Sequence, residues 1–257
     1  MIRLFQIISL IILLCTIVLE AQPSLGPGTK GVVYRINRKS DADTTLEATG
    51  IVFKENGNLF LITNLHVVNP SPGDYGDSLI IYLNRNLPNN DVLSGPKTIT
   101  VFFSVDSSNF VFYPLCDSVD LALIALREEN TRHEQYDSIN SLATSTLISI
   151  DKIKMIANTN PIVTVVGYPS KYKQLIERTP EYVWGNLASI GDRLIQFDAP
   201  IWPGNSGSPL IARVEKKYFL IGVVCSYNPV GEIAYAIPTS NIKVCFNQYF
   251  EMIKLKK

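Results

Sequence analysis

The chain has 257 residues, 46% of them hydrophobic and 18% charged, with 23 basic against 23 acidic side chains. That composition excludes a disordered chain, and the lack of any basic excess or aromatic-plus-basic cluster excludes a nucleic-acid partner. The length allows one large hydrophobic core or two small ones.

The first 21 residues have the form of an export signal: Arg3, a nearly continuous apolar run from Leu4 to Leu19, and Ala21 beside Gln22 and Pro23. Cleavage there would start the mature chain near Gln22; left in place, a run of about 16 residues would act as a short membrane anchor. Either way the remainder is expected outside the cytoplasm, secreted or periplasmic, with membrane contact only through the leader if it is not cleaved. Cys15 follows Leu14 where a lipoprotein signal needs a small residue, which argues against lipid attachment.

After a Pro- and Gly-rich stretch from Gln22 to Thr29, short apolar runs broken by turn clusters predict an all-β sandwich or barrel. Strands are predicted at Gly31 to Ile36, Glu47 to Phe53 and Leu59 to Thr63, the last two joined by the hairpin signal Glu55-Asn56-Gly57-Asn58. Ser78 to Leu83, Thr98 to Val105 and Val119 to Leu126 follow, separated by loops at Asn69 to Asp77 and Asn84 to Gly95. From Arg127 to Ser141 the chain turns polar, which marks the boundary between two β units of similar size. The second unit has Ile162 to Gly167, Tyr182 to Ile190, Arg193 to Phe197, Pro209 to Val214, Tyr218 to Ser226 and Glu232 to Ile237. Then the period changes. Pro238-Thr239-Ser240-Asn241 starts a helix, and Ile242, Cys245, Phe246, Tyr249, Phe250 and Ile253 recur every three or four residues. Cys116, Cys225 and Cys245 are an odd set without C-x-x-C spacing, so each is expected as a buried thiol, with one disulfide at most.

Between Leu194-Ile195 and Leu210-Ile211 lies Pro203-Gly204-Asn205-Ser206-Gly207-Ser208-Pro209, a small polar turn that presents a serine on an adaptable backbone. An ordinary β-turn has the same composition. A serine nucleophile needs in addition a general base, a group that orients the base, and donors for the oxyanion that forms. Only two histidines exist: His133 lies in the charged connector and is expected on the surface, whereas His66 lies just past the predicted strand Leu59 to Thr63. The orienting carboxylate is expected at the edge of an apolar element. Asp120, between Val119 and Leu121, is preferred to its competitor Asp117, because a carboxylate there would be costly unless paired. The order His66, Asp120, Ser206 excludes an α/β-hydrolase, which needs its histidine after the serine, and a subtilisin, which puts the acid before the histidine.

Thr63-Asn64-Leu65-His66-Val67-Val68, Asp120-Leu121-Ala122-Leu123, Val165-Val166-Gly167-Tyr168-Pro169 and Asp198 through Pro209 resemble the successive blocks of trypsin-like serine proteases, nearest the bacterial Deg/HtrA and glutamyl endopeptidase type. The resemblance runs from about Gly31 to the end. It implies two antiparallel six-stranded β-barrels with a C-terminal helix and the triad in the cleft between the barrels. Residues 22–257 would then be one peptidase domain, with a first barrel over about 30–126, a connector at 127–155, a second barrel at 156–238 and the helix at 239–257. It further implies hydrolysis of peptide bonds through an acyl-enzyme, without metal or cofactor. Ser206 would attack, His66 take its proton, and Asp120 steady the imidazolium. The oxyanion hole would lie at Gly204, Asn205 and Ser206, with the Gly204 and Ser206 N–H groups as donors. A peptide or protein substrate would add a strand along Cys225, Ser226 and Tyr227.

The chain also departs from the family pattern. Asn205 stands where digestive members carry an aspartate that pairs with a newly cut N-terminus, and no Ile-Val-Gly-Gly start is visible, so no zymogen switch is expected. With the final helix read as the end of the peptidase domain, no PDZ domain is expected, and no histidine follows His133 to serve a glutamyl-specific pocket. By resemblance the pocket would lie among Ala199 to Trp202, Val224 to Ser226 and Ala234-Tyr235, which favours a small or medium apolar side chain, with Trp202 and Tyr235 expected chiefly as core packing. The alternative function is a catalytically idle trypsin-like module that binds peptides or protein partners. A non-hydrolytic β-barrel adhesin is the third option.

Overall fold

The computed structural model describes residues 32–39, 46–68, 78–82, 98–102, 111–112, 119–126, 139–170 and 180–255. The expected leader at 1–21 with Cys15, the stretch 22–31, the loops 69–77 and 84–95, Cys116, Asp117, His133 and connector residues 127–138 lie outside them. The architecture is mostly β, in two units with a C-terminal helix, as expected.

The first unit contains β1 (Val33–Lys39), β2 (Leu46–Glu55), β3 (Asn58–Thr63), β4 (Ser78–Tyr82), β5 (Thr98–Phe102), β6 (Val111–Phe112), β7 (Ala122–Leu126) and β8 (Leu142–Ala143). Seven of these form a curled sheet in the order β5-β4-β1-β2-β3-β7-β6, and β8 lies beside β2. The path is antiparallel throughout, whereas the short β8 runs parallel to β2 through Phe53↔Leu142 and Lys54↔Ala143. The second unit is a closed barrel of β9 (Ile162–Gly167), β10 (Glu181–Ile190), β11 (Ile195–Phe197), β12 (Pro209–Val214), β13 (Lys217–Asn228) and β14 (Ile233–Pro238). Its strands follow the order β10-β11-β14-β13-β12-β9.

Alternation along β2, β3 and β7 explains why these strands are apolar on both faces. Side chains on a strand point to opposite sides in turn. Ala48, Val52, Leu59, Leu61, Ala122 and Ile124 therefore fill the interior of the first unit with Leu79, Ile81 and Ile99. Their neighbours Ile51, Phe53, Phe60, Ile62 and Leu123 turn the other way, into a core shared with Val166, Ile211, Val223 and Ile237 of the second barrel. A slip of one residue in register would exchange the two sets and empty the seam.

The described residues also form three α-helices, α1 (Leu65–Val68), α2 (Ile150–Ala157) and α3 (Thr239–Leu255), and a 3-10 turn at Thr144–Thr146. In α2, within and just past the expected connector, the Ser149 hydroxyl caps the first turn by accepting from the Lys152 N–H at 3.3 Å, and Ile153 and Ile156 are buried. The apolar stripe of α3 covers the shared core with Ile242, Cys245, Phe246 and Tyr249. There the Phe60 ring meets Phe246, Tyr249 and Phe250 edge-on, at centroid distances of 5.2, 5.3 and 6.0 Å. Such aromatic pairs add about 0.5–1.5 kcal/mol each beyond the area they bury.

The strands fall where alternation and turn chemistry place them, with one difference that bears on the site. The last strand of the first unit was expected from Val119, but β7 begins at Ala122, opposite Thr63, and Val119 to Leu121 is irregular. Because α3 is clamped to β2 and β3 through Phe246, Phe246→Ala is expected to lower stability by about 3–5 kcal/mol. Urea denaturation measures this directly. A loss below about 1 kcal/mol would mean that the helix does not hold the shared core.

Candidate active site

The strands β3 and β7 stop pairing at Thr63↔Ala122, and beyond that point their chains diverge and carry functional groups. One branch is Asn64 and α1, which holds His66; the other holds Asp120. The Asn64 side-chain amide donates to the Asp120 carbonyl at 2.9 Å and ties the two branches together. Both carboxylate oxygens of Asp120 are engaged by one residue. Oδ1 accepts from the His66 N–H at 2.9 Å, and Oδ2 lies 2.7 Å from His66 Nδ1. An ionised carboxylate only accepts, so the proton resides on Nδ1 and the Nε2 lone pair points away from Asp120. It points at Ser206, whose Oγ lies 3.1 Å from Nε2. The three side chains singled out from the sequence are thus brought together. With the ring 42% and the carboxylate 35% exposed, the group opens to solvent on one side.

Ser206 sits on the loop between β11 and β12, whose backbone requires glycine on both sides of it. Gly204 has φ +95° and Gly207 φ +86°, in the left-handed region that side chains disfavour. A Cβ at Gly207 would in addition run into the Thr49 carbonyl and the Thr63 hydroxyl. This close approach seats the loop on the first unit. The Thr49 N–H donates to the Ser206 carbonyl at 2.8 Å, while from the second barrel Val224 accepts from the Gly207 N–H at 2.9 Å and donates to the Ser208 carbonyl at 2.8 Å.

Of the expected oxyanion residues, Asn205 has its N–H engaged within the loop, where it donates to the Trp202 carbonyl at 3.1 Å and closes the turn. Among the described residues, no protein acceptor takes the N–H of Gly204 or Ser206. The expected substrate residues Cys225, Ser226 and Tyr227 lie on β13 past Val223, the last residue that pairs with β12. They lean on β14 through Ser226↔Tyr235 and Tyr227↔Ala234, and no described strand pairs with their other edge. Trp202 differs from the expectation of core packing, being 47% exposed, while Tyr235 packs against the shared core as expected.

Cys225 is a buried thiol, as is Cys245. The Cys225 thiol donates to the Tyr235 carbonyl at 3.5 Å, and burial, assisted by the nearby Asp120 charge, pushes its pKa up to about 11. It therefore stays protonated and acts as a small packing group rather than a nucleophile. Asp198 is exposed and accepts from the backbone N–H and side-chain amide of Asn186, which hold its carboxyl below the usual range and pin β10 to the loop after β11. Thr49 went unremarked in the sequence: it is fully buried on β2 and makes hydrogen bonds to residues far along the chain.

Comparison with known proteins bears on the family and the fold. A family model described as a trypsin-like peptidase domain matches residues 48–223, well over half of the chain. Among solved structures, a serine endoprotease from Yersinia pestis superposes with a TM-score of 0.54 at 19% identity, over 86% of this chain, a likeness of fold. The chain spans 63% of the length of that structure. From the matched residues and the two-unit β architecture, the chain belongs to the trypsin-like peptidase domain family.

Proposed function

We propose that the protein is an exported serine endopeptidase that hydrolyses peptide bonds through His66, Asp120 and Ser206. The observation that carries this reading is the uninterrupted relay from carboxylate to imidazole to hydroxyl, at 2.7 and 3.1 Å. Both contacts lie within the reach required of a base and the groups it serves. Export rests on the apolar leader from Leu4 to Leu19.

In the first half of the reaction, the Ser206 proton passes to His66 Nε2 as Oγ attacks the substrate carbonyl carbon. The imidazolium that results is stabilised by Asp120 Oδ2, and the oxyanion is held by the N–H groups of Gly204 and Ser206. Collapse of the tetrahedral adduct breaks the C–N bond, and Nε2 returns its proton to the leaving amine. Water then enters and attacks the ester carbon as His66 takes its proton. Collapse breaks the C–Oγ bond, Nε2 returns the proton to Ser206 Oγ, and the product leaves as a carboxylate after losing its own proton to solvent. No described strand pairs with the outer edge of β13 from Cys225 to Tyr227, which supports the reading that an extended peptide binds there through its backbone. Each of these parts serves turnover; an idle peptide-binding module would need only the last.

A fluorophosphonate probe is expected to modify Ser206 in the folded protein, and Ser206→Ala to abolish the labelling and lower turnover by about 10⁶. Mass spectrometry of the labelled peptide identifies the site; folded protein that remains unlabelled would leave the idle module as the surviving alternative. Asp120→Asn would let the ring adopt the wrong tautomer. The expected result is a fall in kcat of about 10⁴ with the fold preserved, read by steady-state kinetics on a peptide ester.

A further inference from the structure

We infer that Thr49 is a positioning residue of the oxyanion site, its hydroxyl holding the Gly204 carbonyl so that the neighbouring N–H groups face the substrate. The inference rests on the peptidase reading above and adds to it a residue on the opposite unit, outside the triad.

Four hydrogen bonds converge on this one side chain and its backbone. The Thr49 hydroxyl lies 2.8 Å from the Gly204 carbonyl, 155 residues further along the chain. The Tyr168 N–H lies 3.1 Å from the same hydroxyl oxygen. A carbonyl can only accept and an amide N–H can only donate, so the hydroxyl's single hydrogen is committed to Gly204 and its lone pair to Tyr168. The Thr49 carbonyl accepts from the Thr63 hydroxyl at 2.9 Å, and its N–H holds the Ser206 carbonyl at 2.8 Å. Thr49 itself is fully buried. The hydroxyl therefore cannot turn to water.

The consequence lies in what these bonds fix. Gly204 has φ +95° and no side chain to restrain it, so the peptides on its two sides need external anchors. The peptide before it carries the Gly204 N–H, and its carbonyl, that of Pro203, accepts from the Ser170 N–H at 2.7 Å. In the peptide after it, the N–H belongs to Asn205 and is held by the Trp202 carbonyl at 3.1 Å, while among the described residues Thr49 holds the carbonyl end. Removing the hydroxyl would strand a buried carbonyl and release Gly204 to rotate toward another donor, carrying its N–H out of line. An oxyanion donor acts on charge that exists only in the transition state. The loss should therefore appear in kcat and leave substrate binding along β13 unchanged.

The test compares Thr49→Val, which keeps the branched shape without the hydroxyl, with Thr49→Ser, which keeps the hydroxyl. Initial rates on a peptide ester give kcat and KM, and a peptide aldehyde serves as the probe of transition-state binding. Thr49→Val is expected to lower kcat by about 10–100-fold, below the 10²–10³ of a donor removed outright. KM should stay within about twofold, the aldehyde should bind more weakly by the same factor as kcat, and Thr49→Ser should recover most of the loss. Should the valine variant fail to fold, Thr49→Cys offers a weaker donor of similar size and is expected to show the same kcat-only loss relative to serine. A wild-type kcat in the valine or cysteine variant, a loss confined to KM, or no recovery with serine would overturn the role of Thr49 while leaving the peptidase reading intact. Wild-type protein without turnover would overturn both.

Discussion

The 3.1 Å contact between His66 Nε2 and Ser206 Oγ joins groups that belong to different halves of the molecule. His66 and Asp120 are carried by the curled first sheet, and Ser206 by the closed second barrel. A hydrogen bond weakens steeply with a few tenths of an ångström of displacement. The relay therefore depends on how rigidly the two halves are held to one another, more than on either half alone.

Two kinds of force maintain that seam. The first is apolar: Ile51, Phe53, Phe60 and Ile62 from the first unit pack with Val166, Ile211, Val223 and Ile237 from the second, under the aromatic stripe of α3. It is large and without direction, so it brings the halves together but does not set the angle at which the serine meets the imidazole. The second is polar and directional. Thr49, Thr63 and Gly207 meet where a side chain on Gly207 would have no space, and hydrogen bonds through Thr49 and Val224 hold the serine loop from either side. Burial strengthens these bonds, because none of the partners has water to turn to.

Much of this was legible along the chain because strands announce themselves locally. Alternation and turn residues located Ile162–Gly167 and Pro209–Val214 as observed, and the change of period at Pro238 located α3. Where the signal is short, it failed. β6 and β8 have two residues each, too few to show a period, and β8 exists because a distant strand accepts it in parallel. The start of α2 was marked by Ser149 ahead of Ile150, Ile153 and Ile156, a signal absorbed into the expected connector. Val119 to Leu121 reads as strand from its composition, yet the ladder ends at Ala122 because Asp120 is engaged with Asn64 and His66 instead.

The sequence by itself determined the chemical inventory: which hydroxyl, imidazole and carboxylate are present, in what order, and where glycine permits a sharp turn. It also determined the apolar spacing that makes two β units and a covering helix. Tertiary structure alone decided that the Asn205 N–H is spent within its own turn while no acceptor among the described residues takes those of Gly204 and Ser206, and that no described strand pairs with the edge of β13 beyond Val224. It alone raised Thr49 from one strand residue among many to the anchor of the serine loop. The physical reason is separation: local patterns report on neighbours a few positions apart, whereas His66 and Ser206 are 140 residues apart and Thr49 and Gly204 are 155. Contacts at that range exist only after the apolar faces have found each other.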